Sequence, residues 1–120
     1  MRRTVHLFIG ASVFVILTLS LSHVYPLNFG NLIFGFFAVL VGSVVPDMLE
    51  PPVNSRHRGF FHSRRFLKII MAIFCISIGI LILTRLPKIP VTILFSGSCL
   101  LLGYIFHLFA DALTRRGLPI

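Results

Sequence analysis

Acidic side chains are almost missing from this chain. Three Asp/Glu stand against eleven Lys/Arg over 120 residues, and only 12% of the sequence is charged. A soluble globular domain carries about 25%, so an ordinary water-soluble fold is excluded. Cysteine is nearly absent too. Cys75 and Cys99 are far apart, each inside an apolar run, with no C-x-x-C spacing. They read as small apolar residues packed between helices rather than as a disulfide or redox pair. Aromatic-basic interleaving on a polar surface is also missing. The formal charge of +8 is therefore read as membrane anchoring, with nucleic acid excluded as a partner.

What the sequence has is apolar length. Hydrophobic residues make up 57% of it, and 120 residues suffice for one domain. A bilayer core needs about 20 apolar residues per helix. Four segments meet that need: about Val5 to Val24, Leu27 to Val45, Phe66 to Leu83 and Ile89 to Leu113. The first follows Met1-Arg2-Arg3 and resembles a secretory signal, but its apolar stretch from Leu7 to Leu21 is at the long end for one, so it reads as a span. The second is expected to stop at Pro46, whose ring cannot continue a helix. Ser63 is a candidate N-cap for the third, and "LPKIP" breaks the chain before the fourth. "SRRFLK" at Ser63–Lys68 lacks one residue of a twin-arginine signal and is internal, so it reads as a chance match. The expected architecture is all-α: a single integral domain over residues 1–120, a four-helix transmembrane bundle with a loop at 46–65. Nine basic residues flank the N-terminus, that loop and the C-terminus, against Arg85 and Lys88 elsewhere. This asymmetry puts both termini and the loop in the cytoplasm. Gly30, Gly35 and Gly42 in the second helix, and Gly97 and Gly103 in the fourth, are read as points of close helix approach.

On that map His6, Asp47, Glu50, His57, His62, His107 and Asp111 all fall on the cytoplasmic side, and only His23 falls on the other. His107 and Asp111 in "HLFAD" are at i and i+4, on one helix face. An acid in a membrane helix is costly and marks a site; the competing role for Asp111 is pairing with Arg115. His57 and His62 bracket "RGFF", where Gly59 permits a bend and Phe60 and Phe61 favour a loop held at the membrane interface. The competing reading for the two histidines is solvation. Asp47 is placed at the membrane edge after Pro46, and Glu50 comes before the stiff Pro51-Pro52. Imidazole and carboxylate are ligands for a divalent metal, with Zn²⁺ the first expectation and Mn²⁺, Fe or Ni also suited. So many ligands imply one ion, with the remaining residues orienting its ligands, or two ions. Glu50 is the candidate general base. Arg58, Arg115 and Arg116 are anchors first, and phosphate ligands in the sharper reading.

These residues also fall in motifs. "HLFIG", "PDMLEPP", "HRGFFHS" and "GYIFHLFADALTRRG" occur in that order along nearly the whole chain. The sequence thereby resembles the LexA-regulated, membrane-bound metal-dependent hydrolases, small inner-membrane proteins of bacteria and archaea. The resemblance implies metal-site roles for His6, Asp47, His57, His62, His107 and Asp111, with Thr114 close by. Members usually carry a second Asp two residues after the first, where this chain has Leu49, and often Thr where it has Phe61. A distant similarity to zinc-dependent phospholipase C enzymes implies phosphoester substrates.

Together these readings predict a metal-dependent hydrolase at the cytoplasmic face of the inner membrane, acting on a phosphoester or lipid headgroup. Asp47 and Glu50 would serve catalysis, and Arg58, Arg115 and Thr114 would meet the substrate. Membrane lipid is the expected partner, and a homo-oligomer is compatible with so small a bundle. The alternatives are a non-catalytic metal-binding protein (structural or sensor), a transporter, and a structural partner of another membrane protein. Helix centres offering only Ser, Thr and Cys disfavour a transporter.

Overall fold

The computed structural model describes residues 3–23, 27–49, 61, 63–84 and 88–113. They form four helices: α1 (Arg3–Ser22), α2 (Phe29–Leu49), α3 (Arg64–Leu83) and α4 (Lys88–Ala112). Each is long and apolar enough to cross a membrane. Large apolar side chains such as Phe8, Phe29, Phe34 and Phe37 point outward. In water such a surface would be a liability; in a bilayer it meets acyl chains.

The helix starts follow from local chemistry. The Asn28 side chain accepts from the Asn31 N–H at 2.8 Å and opens α2. Ser63 caps α3, as its position suggests, accepting from the Phe66 N–H at 3.1 Å. Pro90 falls in the first turn of α4, where no intrahelical N–H is needed.

Pro46 behaves differently from expectation. Helix α2 continues through it to Leu49, so Asp47 sits on a helix and not in a loop. A proline inside a helix removes the donor to the carbonyl four residues back. Membrane helices tolerate this where neighbouring groups satisfy the backbone, and Pro46 is buried against its neighbours.

Helix α4 is the centre of the bundle. It packs against all three others, while α3 makes its main contact with α4 alone. Its candidate span is 56% buried, against 17–28% for the other three. Two apolar clusters fill the interior. Phe14, Leu21, Val39, Leu81, Val91, Phe95 and Cys99 form one. Leu67, Ile70, Tyr104, Ile105 and Leu108 form the other and hold α3 to α4. Cys99 packs as expected, but Cys75 is exposed and packs between no helices.

Small residues set how closely α2 and α4 meet. A Cβ on Gly42 would strike the Leu100 carbonyl, and one on Gly103 the Val39 carbonyl and Ser43 N. Gly35 gives way to Phe95, Phe14 and Cys99. Gly30 and Gly97 have no such role. Nothing lies within 4 Å of a Cβ at Gly97, and Gly30 would meet only its neighbour Asn28. Gly10, not singled out from the sequence, does have one: its Cβ would strike Ser43 Oγ, so it seats α1 on α2.

One polar pair ties the end of the bundle where α2 and α4 begin. Thr92 Oγ1 donates to Asn31 Oδ1 at 2.7 Å, with Asn31 buried. Replacing Asn31 by Leu is expected to lower the unfolding free energy in detergent by about 1 kcal/mol, the scale of an interhelical hydrogen bond in a membrane protein. His6, His107 and Asp111 should be undisturbed, because they lie at the opposite end of the bundle.

Candidate metal centre

The start of α1 and the ends of α2 and α4 meet at one end of the bundle. His6 comes from the first turn of α1, Asp47 from the last turn of α2, and His107 and Asp111 from the last turns of α4. His6 Nε2 lies 3.4 Å from Asp111 Oδ1. His107 Nε2 lies 3.2 Å from Asp111 Oδ2 and 3.4 Å from Asp47 Oδ1. The two imidazole rings stack, with centroids 3.8 Å apart. One ligand atom each from His6, His107 and Asp111 fits within 4.8 Å of the others, and all three residues are buried. The Asp47 side chain is more open, at 17% exposure against 4% or less for the other three.

Backbone geometry aims these side chains. The i,i+4 spacing puts His107 and Asp111 on one face of α4. His107 Nδ1 donates to the Ser43 carbonyl at 2.7 Å, which directs Nε2 toward the two carboxylates. A metal-binding histidine commonly has its second nitrogen held by a carbonyl in this way. Ser43 reaches that position because Gly103 and Gly42 bring α4 onto α2. His6 Nδ1 is buried and finds no hydrogen-bond partner among the described residues.

The arrangement fits a divalent ion. Charge-assisted hydrogen bonds measure about 2.7–2.9 Å, shorter than the 3.2 and 3.4 Å found between these histidines and Asp111. Imidazole nitrogen and carboxylate oxygen are ligand atoms for such an ion, and one from each of the three buried residues converges within 4.8 Å. The carboxylates of Asp111 and, at the more open edge, Asp47 would offset the charge of such an ion, and a buried charge needs such balance.

His23, set apart from the candidate ligands in the sequence, is exposed just beyond the far end of α1 from His6. Glu50, His57, Arg58, His62, Thr114, Arg115 and Arg116 lie outside the described residues. Either side of His62 is anchored, however. Tyr104 Oη donates to the Phe61 carbonyl at 2.8 Å, the Phe61 ring meets Phe66 edge-on, and Ser63 caps α3. Tyr104 is three residues before His107, so Phe61 and Ser63 are tied to the helix that carries His107 and Asp111.

Sequence reasoning did not anticipate three contributors. Ser43 acts through its backbone carbonyl, which no side-chain pattern reveals. Tyr104 lies inside a recognised motif but gave no sign of its partner. Gly10 did leave a signal, four residues after His6 and so on the same face of α1.

No curated protein and no solved structure gives a significant match to the chain. The family model described as YdjM inner membrane protein matches residues 1–120. The chain therefore belongs to this family of multi-pass inner-membrane proteins, the one its motifs resemble.

Proposed function

We propose that the chain is a metal-dependent hydrolase working at the cytoplasmic face of the inner membrane on a phosphoester, in the first instance that of a lipid headgroup. The observation that carries this reading is the buried His6–His107–Asp111 cluster at one end of the bundle. Family membership supports it. The basic residues concentrated at the helix ends on that side support the cytoplasmic orientation.

In this reading His6, His107 and Asp111 hold the ion, zinc being the first expectation, and Asp47 lies at its more open edge. His57 and His62 complete the ligand set, around one ion or two. A divalent ion held there would supply Lewis-acid activation of water near neutral pH. Glu50 would act as general base, and Arg58 and Arg115, with Thr114 beside them, would hold the anionic group of the substrate.

A second reading, a non-catalytic metal site, draws on the burial of His6, His107 and Asp111, which suits a closed coordination shell. One experiment separates the two. Metal-loaded protein in lipid nanodiscs is incubated with phospholipids and with soluble phosphodiesters, and phosphate-containing products are followed. Hydrolysis by the wild type that falls to background in Asp111→Ala supports the hydrolase. Stoichiometric metal with no turnover of any phosphoester favours the closed site.

A further inference from the structure

Beside the ligand cluster, α1 and α4 enclose an open groove of about 480 Å³ lined by Ile9, Phe106, Phe109, Ala110 and Leu113. That is within the about 300–1,000 Å³ of small-molecule sites, yet every lining residue is apolar. Each wall neighbours the cluster. Ile9 is one turn after His6, while Phe106 and Ala110 immediately precede His107 and Asp111. On a helix one residue is about 100° of rotation. The groove stripe and the ligand stripe of α4 are therefore adjoining faces of the same two turns. Ala110 provides the depth, as the small residue between Phe106, Phe109 and Leu113.

We infer that this groove seats an acyl chain of an anionic phospholipid whose headgroup lies over the metal cluster. The inference rests on the hydrolase reading above and narrows its substrate to a bilayer lipid that enters sideways between α1 and α4. Three observations select this occupant. Most of the groove wall lies within the candidate spans of α1 and α4, where acyl chains are the surrounding medium. Two of the lining residues, Phe106 and Ala110, immediately precede His107 and Asp111 on α4. The charge of this end suits an anionic headgroup: Arg64, Arg65 and Lys68 are exposed on the first turns of α3.

The test uses the purified full chain in detergent and phosphatidylglycerol carrying a photoactivatable diazirine in one acyl chain. Labelling at Ile9, Phe106, Phe109 and Leu113 is expected to saturate and to be displaced by unlabelled phosphatidylglycerol. Labelling at Ile73 and Ile76, on the outward face of α3, should rise without saturating. Ile9→Trp and Ala110→Leu fill the groove and should weaken saturable labelling about tenfold or more, the loss expected when a few methylenes are excluded from burial. Both should keep wild-type metal content. Asp111→Ala should lose the metal and keep the labelling, so failure of the metal reading and failure of the lipid reading appear separately. Groove labelling that never saturates, or that survives in metal-replete groove-filling variants, overturns the inference. So does equal displacement by phosphatidylcholine, or crosslinking of the groove to a second copy of the chain.

Discussion

Asp111→Ala is expected to strip the purified protein of its divalent metal, with a loss of affinity exceeding the about 10–100-fold that removal of an outer-shell partner costs. Asp111 is the hub of the cluster, with one oxygen facing His6 and the other His107. Its removal leaves two buried imidazoles and, among the described residues, Asp47 at the more exposed edge to offset a dication. His6→Ala and His107→Ala should be nearly as severe, since each removes one of the three convergent ligand atoms. Asp47→Ala should be milder and retain metal at reduced affinity. His23→Ala should match the wild type, because His23 is exposed at the other end of α1. Metal content after dialysis against a weak chelator gives the whole series. The order is the informative part: equal loss in Asp47→Ala and Asp111→Ala would show that the ion is centred elsewhere.

Gly103→Ala should be among the most damaging single-methyl changes in the described part of the chain. The added carbon would meet the Val39 carbonyl and Ser43 N, both backbone atoms of α2 that cannot swing aside. Overpacking a tight core costs about 1–3 kcal/mol and occasionally more. Because α2 and α4 must separate to admit the methyl, the Ser43 carbonyl retreats from His107 Nδ1 and metal affinity falls as well. Gly42→Ala should behave alike, against the Leu100 carbonyl. Gly97→Ala is the control. Its Cβ meets nothing within 4 Å, and alanine is about 1 kcal/mol better than glycine in a helix, so stability should hold or rise. Unfolding by denaturing detergent, read beside metal content, tests the pair. Gly103→Ala with unchanged stability would mean that the close approach of α2 and α4 is not what holds the bundle together.

Much of this was legible in the residues because membrane constraints are severe. Four apolar stretches of span length leave few architectures, and the basic residues mark which helix ends belong together. The i,i+4 pair His107 and Asp111 declared its geometry outright, since helical spacing alone fixes it. The meeting of His6 with Asp111 was legible only as a shared end of the bundle; their contact depends on how α1 lies against α4. Pro46 misled because its ring was expected to end the helix, whereas Pro46 is buried against neighbouring residues and α2 continues to Leu49. Glycines misled in both directions. Gly30 and Gly97 look the same in sequence as Gly42 and Gly103, and only the facing backbone distinguishes them. Gly10 sits four residues beyond His6, so the face that presents the ligand also seats α1 on Ser43. The groove beside the cluster has no sequence signature, because it arises from the spaces among Ile9, Ala110 and the surrounding apolar side chains.

X-ray absorption at the metal edge of wild-type protein purified with supplied zinc tests the central claim most directly. The account predicts a shell of nitrogen and oxygen only, at about 2.0–2.1 Å, with outer-shell scattering from at least two imidazoles and no sulfur. Protein that retains no metal, or a spectrum showing a sulfur ligand from Cys75 or Cys99, would contradict it.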